Sequence, residues 1–82
     1  MSQFDKYTGS SDPIVAQAGS DLETATADFK AGNITKAEYD ELCGDILDAS
    51  SIVSQLNDMA RRQMIFDTFS ELVNIVSMIT SL

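Results

Sequence analysis

Residues 30–39 read Lys30-Ala31-Gly32-Asn33-Ile34-Thr35-Lys36-Ala37-Glu38-Tyr39, and this stretch decides the fold. Gly32 has no Cβ to clash in the left-handed conformation, so it can close a helix arriving from the N-terminal side. Thr35 is placed to cap a second helix, and Glu38, three residues later, completes a Thr-x-x-Glu capping box. Ile34 and Tyr39 flank that cap at the positions where a hydrophobic staple sets the angle of chain entry. A helix stop followed at once by a helix start predicts an αα-hairpin, so the expected fold class is all-α.

The helix before the turn is expected over residues 13–31. Asp12 and Pro13 supply an N-cap and a proline at the first helical position, where the missing N–H is harmless. Val15, Ala18, Leu22, Ala25 and Phe29 alternate spacings of three and four, a narrow heptad seam of mostly small residues. Gly19 and the β-branched positions lower the intrinsic propensity, so tertiary packing has to hold this helix. Residues 1–11 read as an extended polar arm with Gly9-Ser10-Ser11 as loop formers. That arm is either a disordered tail or a segment that docks through Phe4 and Tyr7.

The helix after the turn is expected from Lys36 to about residue 81. Tyr39, Leu42, Ile46, Ala49, Val53 and Leu56 repeat the same alternation, so two matching seams meet across an antiparallel hairpin. Gly44 lies in the interior of this helix and weakens it by roughly 1 kcal/mol relative to Ala, which points to close packing or flexibility. Asp48-Ala49-Ser50-Ser51 offers cap residues where the helix would kink or break. No Gly or Pro follows Gly44, so a continuous long second helix is the first expectation. Residues 12–82 then form one helical-hairpin domain.

From Met64 onward the chain changes character. Ile65, Phe66, Phe69, Leu72, Val73, Ile75, Val76, Met78, Ile79 and Leu82 cover more than one stripe of a helix. A first helix of about 19 residues, rising 1.5 Å each, is too short to cover them. A surface this apolar requires a cover, and copies of the same chain are the simplest one. Residues 64–82 are therefore expected as an assembly segment, with Phe66, Phe69, Leu72, Val73, Val76 and Ile79 as the oligomer interface. A membrane reading draws on Arg61-Arg62 just before the segment. Asp67 and Glu71 interrupt it, and the uncharged remainder, residues 72–82, is too short to span as a helix.

Composition narrows the chemistry. With 82 residues the chain is one domain at most, and a monomer this small hides only about 60% of its unfolded surface. Thirteen acidic against five basic residues give a net charge of −8, which argues against a nucleic-acid ligand. There is no His and only one Cys, so zinc sites of the usual kinds and nucleophilic triads lack their parts. Cys43, among acidic neighbours, reads as a small packing residue. Glu38, Glu41, Asp45 and Asp48 share one helical face, which is a solvated acidic surface or a docking face for a basic partner. The N-terminus, Met1-Ser2-Gln3-Phe4-Asp5, lacks the basic and apolar regions of a signal peptide, so the expected location is the cytoplasm or an assembled particle.

Residues 28–47, from Asp28-Phe29-Lys30-Ala31-Gly32 through Asp45-Ile46-Leu47, resemble the short oligomerisation module known as SHOCT. The shared pattern is a helix ending in Gly-x-Ile-Thr, then x-x-Glu-Tyr and a second apolar helix. The layout is also similar to the small polymerising helical hairpins of bacterial injection needles, whose Pro-rich turn is replaced here by Gly-Asn-Ile-Thr, and to small helical virion components of tailed phages. These resemblances imply a module that self-associates. The expectation is a non-enzymatic structural protein without cofactor, packing with copies of itself or other subunits of an assembly such as a virion or secretion complex. A small acidic inhibitor or adaptor for a basic protein surface is the alternative, and a membrane-active protein the second alternative.

Overall fold

The computed structural model describes residues 3–81; Met1 and Ser2 of the expected arm and Leu82 of the apolar segment lie outside it. Five helices follow in order: α1 (Asp5–Thr8), α2 (Pro13–Lys30), α3 (Lys36–Ile46), α4 (Ala49–Val53) and α5 (Met59–Thr80), with no strand among the described residues. The fold is all-α. The chain divides into two compact units, the first ending at Ile46 and the second beginning at Leu47.

The first unit is the hairpin with α1 added to it. Asp12 caps α2 by accepting from the amides of Ile14 at 2.9 Å and Val15 at 3.4 Å, with Pro13 behind it as the first helical residue. Val15, Ala18, Leu22 and Ala25 are buried along α2 as the heptad seam requires. The turn closes with Gly32 at φ +81°. The Asn33 amide donates to the Asp28 carbonyl at 2.9 Å and the Gly32 amide to the Phe29 carbonyl at 3.1 Å, which together form a Schellman motif. The capping box then forms in both directions: Thr35 Oγ1 accepts from the Glu38 amide at 3.1 Å, and Glu38 Oε1 from the Thr35 amide at 2.9 Å.

Aromatic stacking sets how α3 lies on α2. The Tyr39 and Phe29 rings stack with centroids 4.7 Å apart and planes 9° off parallel. The Tyr39 hydroxyl lies 2.7 Å from Thr26 Oγ1, inside the fold. Tyr39 and Cys43 are the buried residues of α3. Leu42, expected on the seam, is instead 42% exposed. With Tyr39 fixed at the centre of the contact, the residue one turn on that stays inside is Cys43, and Leu42 falls to the flank.

Residues 3–11 are not the extended arm that the loop formers suggest. They contain α1, whose Tyr7 and neighbouring Phe4 are buried. Gly19 is the reason α1 can lie so close to α2. A Cβ at Gly19 would stand 2.9 Å from Tyr7 Cβ, 3.0 Å from the Thr8 amide nitrogen and 3.1 Å from the Tyr7 carbonyl carbon. The glycine that weakens α2 as a helix makes room for the backbone of α1. Gly44 has no such role, since a Cβ there would meet nothing within 4 Å.

The expected continuous helix over 36–81 is also corrected. It is three helices, α3, α4 and α5, and the hairpin proper ends at Ile46. Asp48 makes the first break without glycine or proline. At φ −74°, ψ 77° it is the centre of an inverse γ-turn, closed by the Ala49 amide donating to the Leu47 carbonyl at 2.8 Å. Its carboxylate then caps α4 by accepting from the Ser51 amide at 3.3 Å. After Val53 the chain leaves the helix over Ser54-Gln55-Leu56-Asn57, and Asp58 starts α5 by accepting from the amides of Ala60 at 2.9 Å and Arg61 at 3.2 Å. Short polar side chains that satisfy backbone amides make such restarts favourable.

Candidate interaction surfaces

The residues of the turn act as a lock. Gly32, Thr35 and Glu38 satisfy the two helix ends, Tyr39 is buried against Phe29 and Thr26, and Ile34 is half-buried beside them. Burial pushes the Tyr39 phenol up to about 12. The Cys43 thiol is raised as well, again chiefly by burial. A thiol held protonated inside the fold is a packing group rather than a nucleophile.

Glu38, Glu41 and Asp45 come together on the solvent side of α3. They rim a shallow depression of about 240 Å³ lined also by Ile34 and Leu42. Two apolar side chains and three carboxylates thus share one small concavity. Asp48 belongs to the second unit, where its carboxylate is the α4 cap, so the expected acidic face contracts to its first three members.

The α5 helix is apolar on more than one side, and the structure sorts the expected interface residues into two groups. Phe69, Leu72, Val76 and Ile79 are buried, together with Ile65. Phe66 and Val73 face solvent at 43% and 47% exposure. Met59 and Met78 fall outside the expected interface, yet they are 73% and 60% exposed. Met59, Phe66 and Val73 are seven residues apart, so they lie in one line along the helix, with Met78 off that line. The spacing was present in the sequence, but it was hidden by the density of apolar residues around it.

The N-terminal end of this line is basic. Arg62 Nη1 donates to Met59 Sδ at 3.8 Å, which sets a guanidinium beside the exposed methionine. Beyond the Asp58 cap the first turn of α5 holds no acidic residue. Arg61 and Arg62 therefore add positive charge where the helix dipole is already positive.

Among the described residues no group of His, Cys, Asp or Glu side chains could hold a metal ion, and no helix is long and apolar enough to cross a membrane. No family model, curated protein or solved structure matches the chain.

Proposed function

We propose that this chain is a non-enzymatic assembly protein that associates with copies of itself along the solvent-facing side of α5. The observation that carries this reading is the line of Met59, Phe66 and Val73, large apolar side chains in solvent at a spacing of seven. Residues seven apart return to nearly the same face of a helix, so the three side chains form one stripe that a second copy can cover. Exposed apolar side chains scattered singly call for no explanation, whereas a line of them along one helix marks a surface that is covered in use.

The test is the solution mass of the full chain and of two single variants. Phe66→Asp lies on the line and is expected to return the assembly to monomer with unchanged helicity. Met78→Asp lies at a more exposed position but off the line, and is expected to leave the mass alone. An assembly indifferent to Phe66→Asp, or a wild-type chain that stays monomeric as its concentration rises, contradicts the reading.

A further inference from the structure

We propose that the depression on α3 receives the start of α5, exposed Met59 and Phe66 with the half-buried Arg62 between them, from a second copy. The proposal rests on the self-assembly reading and names the surface that α5 meets.

Size is the first argument. At about 240 Å³ the depression lies below the range of roughly 300–1,000 Å³ in which small molecules usually bind. It is suited to protruding side chains rather than to a whole metabolite. Its apolar lining, Ile34 with the exposed Leu42, matches the thioether and ring that Met59 and Phe66 present.

Charge is the second. Each copy carries a net −8, so two copies repel wherever their average surfaces meet. Close approach needs a place where the charge is locally opposed. The pair Arg61-Arg62 is the only run of two basic residues in the sequence, and it sits on the positive end of the α5 dipole. Glu41 and Asp45, with the Glu38 carboxylate beside them, rim the depression with the opposite sign. Neither surface complements itself, because like charges would face each other. The two complement one another, so the contact joins a donor on one copy to an acceptor on the next. Where it is not reciprocated, such a contact extends into a ring or a filament.

The test uses two full-length variants. Glu41→Lys with Asp45→Lys removes the acceptor. Met59→Glu with Arg62→Glu removes the donor, and acidic residues in the first turn of α5 favour the helix dipole, so folding is preserved. Each variant alone is expected to be a monomer, and an equimolar mixture is expected to form a one-to-one complex, because each supplies the half the other lacks. The acceptor variant is expected to dissociate even though it has less net negative charge, the reverse of a pure net-charge effect. If Phe66→Asp dissolves the assembly while both charge variants keep the wild-type mass, this proposal fails and the α5 reading stands. If each charge variant is monomeric but the mixture is too, the pairing of these two surfaces is overturned. A wild-type chain that is itself monomeric removes both, and leaves the depression to a basic segment of another protein.

Discussion

The hydroxyl of Tyr39 lies 2.7 Å from Thr26 Oγ1, joining α3 to α2 by a hydrogen bond inside the hairpin. Removing one partner strands the other in a dry site, which costs on the order of 1–3 kcal/mol, whereas removing both is much milder. Tyr39→Phe and Thr26→Val should each lower the urea midpoint, and the double variant should lose clearly less than their sum. Strict additivity would mean that the two hydroxyls do not interact.

Alkaline pH should weaken the fold through the same residue. The Tyr39 phenol rises from 10.0 to about 12 because burial disfavours the phenolate. In the unfolded chain it ionises near its ordinary value, so between those limits the unfolded state binds fewer protons than the folded one. Stability is then fully present below about pH 10 and falls as pH rises toward 12. Tyr39→Phe should flatten the fall measured by urea unfolding across that window. An equal slope in wild type and variant would locate the alkaline sensitivity elsewhere.

Two glycine-to-alanine changes should have opposite signs. Gly44→Ala meets open space and should stabilise by about 1 kcal/mol through helix propensity. Gly19→Ala gains the same propensity but drives a methyl into the α1 backbone, which cannot give way as a side-chain tip would. Overpacking of this kind costs about 1–3 kcal/mol. It should lower the melting temperature by several degrees, since about 1 kcal/mol corresponds to roughly 4–8 °C in a domain this small. A stabilising Gly19→Ala would show that α1 does not pack there.

Asp58→Ala removes the acceptor of two amides at the start of α5. It should cost about 1 kcal/mol. The loss should appear as faster amide exchange at Ala60 and Arg61, with the α3 amides unchanged. Uniform acceleration along the chain would point instead to global destabilisation.

The hairpin was legible in the sequence because its signals are local. Gly32, Thr35 and Glu38 act on backbone groups within a few residues, and no distant packing can reassign them. The break at Asp48 was less legible, since an aspartate in a γ-turn leaves a weaker trace than glycine or proline. It is visible only as a Ser/Asp cluster that a long helix could also have carried. The docking of α1 depends on Gly19 meeting Tyr7 from twelve residues away, a relation that composition near either residue does not announce. For α5 the difficulty was excess: with apolar residues on several faces, periodicity alone could not separate buried Phe69 from exposed Phe66. The acidic depression lay between these cases, with Glu38, Glu41 and Asp45 readable from their spacing and Asp48 drawn off to cap α4.

Copies of this chain are proposed to meet through the outward side of α5. Light scattering on the full chain, over a range of concentrations at low and physiological salt, tests it most directly. The expected result is a mass that is a multiple of 8.9 kDa, and Phe66→Asp at 8.9 kDa with the same helical spectrum. A wild-type chain at 8.9 kDa throughout would contradict it.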